Sequence, residues 1–186
     1  IDSVKSPLAN PDQIWSGEKM LLIPSLIDEK LDQNTIVNAL AKPTKKTYGV
    51  VVLVSSFAKT ELYNSLGSLV PKSEQMGSII DHLKKGNYER TVVFANRYDG
   101  IDLPDESCRI LVIDGKPYFH SLSDRYEEAI RINSDTINIK IAQKIEQGLG
   151  RSVRGEKDYC LILLEVVGQI SIFPRKLRSN SISDSK

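Results

Sequence analysis

Four apolar runs punctuate the chain, each short enough for a strand and separated by stretches with helical spacing. The first, GVVVLVSS from Gly49, is continuous and β-branched, the pattern of a strand buried on both faces. TVVFAN at 91–96, CRILVID at 108–114 and DYCLILLEVV at 158–167 repeat that character. Between the first two runs, residues 58–66 and 73–85 carry apolar positions at helical intervals. Past the third run, SLSDRYEEAIRI predicts one helix, and SDTINIKIAQKIEQGLGRSVR a longer one capped by Ser134 with Asp135 in its first turn. Strands alternating with helices predict an α/β fold, a doubly wound and mainly parallel sheet flanked by helices.

Residues 1–48 lack that alternation. They hold Pro7, Pro11, Pro24 and Pro43, a short apolar run MLLIP, and an amphipathic stretch at 32–42. There Asp32 reads as the N-cap, with Ile36, Ala39 and Leu40 as the inward stripe. The expected organisation is a lead-in over 1–48, one domain over 49–175, and a polar tail over 176–186. The whole, at 186 residues and 40% hydrophobic, is enough for one core. An initial Ile and the Ser-, Asn-, Asp- and Lys-rich end read as cut or processing boundaries.

Charge and cysteine usage narrow the function classes. With 25 Lys and Arg against 24 Asp and Glu, the net charge of +1 supplies no bulk field for nucleic acid, so any such contact is local. Cys108 and Cys160 lie inside apolar runs and read as core thiols. Without C-x-x-C spacing, and with His82 and His120 isolated, no zinc site forms by local spacing, and no metal site is expected. No run approaches the ~20 apolar residues that span a bilayer. A soluble, cytoplasmic protein is the expectation. Lys42, Lys45 and Lys46 read as a solvated linker.

In an open parallel sheet, ligands bind beyond the carboxyl ends of the strands, here after Val54, Ala95 and Asp114. NRYDGIDLP follows the second run, with Gly100 allowing a tight turn beside Asp99 and Asp102. It fits a plain β-turn or a site loop. Asp114 followed by Gly115 reads as a turn rather than as a metal-binding strand end. On the long helix, Gln147, Arg151 and Arg154 fall within an arc of roughly 60°, while Ile137, Ile141, Ile145, Leu149 and Val153 sweep the neighbouring one. A basic helix end compensates the dipole, which is the plain alternative. Yet Gly148 and Gly150 cost the helix roughly 1 kcal/mol each relative to Ala, and so suggest close approach of a backbone or ligand. Paired guanidiniums suit phosphate.

Gln147, Gly150, Arg151 and Arg154, as Q-x-x-G-R-x-x-R, resemble motif VI of the superfamily-two helicases. Gly100, Ile101 and Asp102 resemble their motif V, and GVVVLVSSF their motif IV, in the right order. CRILVIDGKPY is similar to the strand and proline turn of the iron–sulfur DNA-repair helicases and their bacterial relatives. The resemblance covers roughly 49–164 and implies a RecA-like second motor domain that closes over ATP and Mg²⁺ held mainly by a preceding P-loop domain. It makes Arg151 and Arg154 catalytic, one as an arginine finger. It assigns Gly100, Asp102, Gln147 and Gly150 to the nucleotide side, and Ser55, Ser56, Asn96 and Arg97 to the backbone of single-stranded DNA or RNA. The loop from Asn96 to Gly100 is shorter than the usual motif V.

These residues contain no G-x-x-x-x-G-K-[ST] P-loop, so the expected site is half a site, inactive alone. Two other classes compete. One is a non-enzymatic, helicase-like binding or regulatory module, which a missing P-loop partner in the whole gene would favour. The other is a small-molecule enzyme on a doubly wound sheet, which the glycine-free SSFAKTELY after the first strand disfavours.

Overall fold

The computed structural model describes residues 18–97, 101–115, 122–130, 139, 140, 143, 145, 147, 148 and 158–165. Five strands make one parallel sheet: β1 (Glu18–Leu22), β2 (Val50–Val54), β3 (Val92–Ala95), β4 (Ile110–Asp114) and β5 (Tyr159–Glu165), in the order β1-β5-β4-β2-β3. The helices are α1 (Pro24–Ile27), α2 (Gln33–Ala41), α3 (Phe57–Ser65), α4 (Met76–Lys84) and α5 (Leu122–Ile130). Short 3₁₀ turns at Ser73–Gln75 and Asp105–Cys108 lead into α4 and β4.

All five residues of β2 are buried, in keeping with its unbroken apolar, mostly β-branched run. Alternation divides them between two layers. Val52 and Val54 pack with Val37 and Ala41 of α2 and Tyr63 of α3, while Val51 and Leu53 pack with Leu83 of α4 and with Ile145. The chain changes layer at the sheet edge, where Leu69 bonds to Thr91 and Val93 beside β3 before α4 begins. Cys108 and Cys160 are buried thiols of the α4 layer.

The stretch ahead of Gly49 contributes to both sheet and core. β1 pairs with β5 as an edge strand, and Asp32 caps α2 by accepting from the Thr35 amide at 2.8 Å. The inward stripe of α2 is Ile36, Val37, Leu40 and Ala41; Ala39, expected inside, faces solvent because Val37 and Ala41 set the centre of the buried arc. Lys46 is no solvated linker residue either. Half-buried, its ammonium donates to the Leu40 carbonyl at 3.2 Å and to Thr91 Oγ1 at 2.9 Å, tying α2 to the start of β3. Burial lowers its pKa.

Two devices fix the amino edge of the sheet. Gly49 passes so close to the turn before β4 that a Cβ there would lie 1.9 Å from the Ser107 carbonyl oxygen. Arg109, almost wholly buried, donates to Glu106, Asp158 and the Tyr159 carbonyl, and its guanidinium lies 4.0 Å over the Tyr159 ring. Hydrogen bonding to Glu106 raises the Arg109 pKa further, so this staple stays charged.

Candidate functional site

From β2 the connection runs outward to β3, and from β4 it runs the other way to β5, so the strand order reverses between β2 and β4. Such a reversal opens a crevice beyond the carboxyl ends of the two strands. Ser55 and Ser56 follow β2 directly there, both half-buried. Ser56 occupies the N-cap position of α3 in an extended conformation, yet its hydroxyl makes no capping bond. One strand further out, Asn96 follows β3 with a left-handed φ of 57°, and its amide donates to the Val54 carbonyl at 2.8 Å. Asn is among the residues that tolerate this conformation. Its Oδ1 is buried with no donor among the described residues, and Arg97 beside it is exposed. Val54 and Ala95 are register partners, so the two candidate track loops start side by side.

The second candidate group lies on the α4 layer. Ile101 and Leu103 are buried and Asp102 between them is exposed, which anchors the loop by its flanks and turns the carboxylate outward. Ile145 joins the same buried cluster as Ile101 and Leu103. Two residues on, Gln147 is helical and exposed and Gly148 is buried. Ile145 inside and Gln147 outside agree with their 100° spacing, while Ile137 and Ile141 lie outside the described residues. Gly100, Gly150, Arg151 and Arg154 lie outside the described residues, as do Ser134, Asp135, Leu149 and Val153.

Within the crevice stands a polar hub that sequence reasoning passed over. Asp114, expected in a turn, is the last residue of β4 and is buried at 1% exposure. Its Oδ1 accepts from Lys59 Nζ at 2.8 Å and from the Gln33 side-chain amide at 2.8 Å; Oδ2 accepts from the same amide at 2.9 Å and from the Tyr63 hydroxyl at 2.9 Å. A buried carboxylate persists only when paired and hydrogen-bonded, and these donors from α2 and α3 meet both needs. Burial, then the Asp114 charge, pushes the Tyr63 phenol well up, so it remains a donor. Beside Asp114, the register partner Glu165 is also buried, and its Oε1 has no donor among the described residues. Burial first, and then the charges of Asp114 and Asp32, push its carboxyl up to about 7. The available signal was a carboxylate closing each of two buried strands, ILVID and YCLILLE.

Among the described residues no helix is long and apolar enough to cross a membrane. No group of three or more His, Cys, Asp or Glu among them is arranged to hold a metal ion.

Comparison with known proteins matches these features to one family. The family model described as helicase C-terminal domain covers residues 45–165. No curated protein matches the sequence. Among solved structures, one titled XPD helicase aligns over 89% of this chain with a TM-score of 0.58 at 15% identity. The chain spans 34% of that structure, and at this identity the likeness carries the fold. Strand order, crevice and family match agree: the sheet is the RecA-like fold of superfamily-two motors, and the chain belongs to the helicase C-terminal domain family.

Proposed function

We propose that this chain is the second motor domain of an ATP-driven helicase or translocase. In this reading Arg151 and Arg154 complete an ATP site whose P-loop lies on a preceding domain, and the carboxyl edge of the sheet grips a single strand. The observation that carries it is the arrangement at that edge. The loops after β2 and β3 start side by side, and the helix of Gln147 shares a buried cluster with the residues flanking Asp102. One domain thereby joins a candidate track surface to a candidate nucleotide surface through a single packed core, which is what coupling two sites requires.

ATP with its magnesium ion would supply the driving reaction, hydrolysis of the terminal phosphoanhydride. Gln147, exposed on its helix, and Asp102, turned outward from its loop, are polar groups suited to that face. Asp102 and the Gly100 backbone would meet the ribose or relay its presence to the track. Gln147 and Gly150 would set the helix so that Arg151 and Arg154 reach the γ-phosphate, where a guanidinium offsets charge that develops in the transition state. Ser55, Ser56, Asn96 and Arg97 would hold phosphates of DNA or RNA by contacts that read no sequence.

The test joins the halves. The chain alone should show no ATP turnover above background, and the full-length protein with its P-loop domain should show turnover that single-stranded nucleic acid stimulates. Turnover by the chain alone that depends on Arg151 would refute the half-site; a full-length protein with no P-loop and no turnover would favour a non-enzymatic module.

A further inference from the structure

Lys59 is the counter-ion of buried Asp114, yet its placement exceeds what charge neutralisation asks. Its side chain keeps 38% exposure although its ammonium sits 2.8 Å from a carboxylate that is 1% exposed. The amine stands at the mouth of the crevice between β2 and β4. A Cβ built on Gly115, whose φ is +91°, would come within 2.6 Å of Lys59 Nζ and 3.2 Å of Ser55 Oγ. Lys59, in the first turn of α3, and Ser55, at the end of β2, therefore border one point above the Gly115 backbone at the end of β4. Glycine keeps that point open, because any side chain would strain the backbone and strike the amine.

An ammonium has three donors. Asp114 Oδ1 takes one, and the Asp114 carbonyl lies at the limit of hydrogen bonding, 3.5 Å from Nζ. Gln33 and Tyr63 hold the same carboxylate from below, so Asp114 is a fixed anchor for the charge. No hydrogen bond of the Ser55 hydroxyl occurs among those between described residues, and it flanks the amine. A held cation beside a hydroxyl at a ligand-binding strand edge suits a tetrahedral oxyanion, with charge-assisted bonds from nitrogen and one neutral bond from oxygen.

We propose that Lys59 is a phosphate-binding residue of the nucleic-acid track, held by Asp114 and acting with Ser55 on one backbone phosphate. The proposal rests on the reading of the carboxyl edge as the track. It adds a charge that the pattern SSFAKTELY does not reveal, since Lys59 lies in α3, on the helix rather than in the loop.

The experiment measures binding of the full-length protein to a labelled oligothymidylate across a salt series. Each phosphate contact by a cation contributes about 0.7 to the slope of log affinity against log salt for a single strand. Lys59→Gln should lower the slope by about 0.7, and Lys59→Arg should retain it. Because Lys59→Gln leaves the buried Asp114 carboxylate without its cation, Lys59→Gln combined with Asp114→Asn makes both partners neutral and should show the same loss. Lys84→Gln, which removes an exposed charge at the end of α4, should leave the slope unchanged. An unchanged slope in the double variant, or an equal loss in Lys84→Gln, would overturn the proposal while the track reading stands. A wild-type protein that does not bind the oligonucleotide would overturn both.

Discussion

Asp114 and Glu165 close adjacent parallel strands in register, two carboxylates buried side by side, and among the described residues only Asp114 has an ion-pair partner. Lys59, Gln33 and Tyr63 attend to Asp114, so the cost of burial falls on Glu165.

That asymmetry sets a pH dependence. The Glu165 carboxyl rises from 4.5 to about 7 on folding, so the folded state binds its proton more tightly than the unfolded state. Its contribution is greatest below 4.5 and is lost as pH climbs through the interval to about 7. Among the described residues, the titratable groups that act on it are Asp114, Asp32 and Tyr63. Glu165→Gln should exceed wild type in stability at pH 8 by about 1–3 kcal/mol and match it more nearly at pH 5. Urea denaturation at the two pH values measures this. A variant no more stable than wild type at pH 8 would show that Glu165 finds a compensating donor.

At the opposite edge of the sheet, Arg109 joins Glu106, Asp158 and the Tyr159 carbonyl. Removing Arg109 takes the guanidinium from the buried Asp158 carboxylate, which keeps the Asp105 amide, so Arg109→Ala should cost about 3–5 kcal/mol. Lys presents a point charge in place of a planar fork, and Arg109→Lys should recover less than half of the loss. Thermal or urea unfolding checks both. Full recovery by Lys would mean that charge alone, without the fork or the stacking on Tyr159, holds this edge.

Two glycines make a matched pair. At Gly49 a Cβ would sit 1.9 Å from backbone oxygen, which no rotamer relieves, so Gly49→Ala should cost about 3 kcal/mol or more or prevent folding. At Gly77 in α4 a Cβ meets nothing within 4 Å, and Gly77→Ala should stabilise by up to about 1 kcal/mol. Comparison of the two midpoints in one denaturant series decides it; similar destabilisation at both positions would remove the steric account of Gly49.

The central strands were legible because each is a continuous apolar run, a pattern that survives without tertiary context. The edge strand β1 was not, since three of its five residues face solvent and MLLIP is too short to show a period. The family was legible from Gly100, Asp102 and Gln147, whose types and order carry the resemblance, and the helicase C-terminal domain match spans them. The hub was not. Lys59, Gln33 and Asp114 come from three separate elements, and Gln33 and Asp114 stand 81 positions apart. Only the fold makes one site of them. Lys46 was misjudged for the same reason, because its partner Thr91 lies 45 positions away.

The central claim is that Arg151 and Arg154 act on charge developing at the γ-phosphate. Steady-state ATPase kinetics and nucleotide affinity of the full-length protein, with nucleic acid saturating, test it most directly. Arg151→Ala or Arg154→Ala should reduce turnover roughly 10³-fold or more while ATP binding weakens far less. Arg→Lys at either position should rescue little, for want of the guanidinium fork. Val153→Ala, on the side of the helix expected to pack, should lower stability and spare turnover in the folded fraction. Near-normal turnover in both Arg→Ala variants, with the fold intact, would reduce the pair to a dipole-compensating helix end and contradict the account.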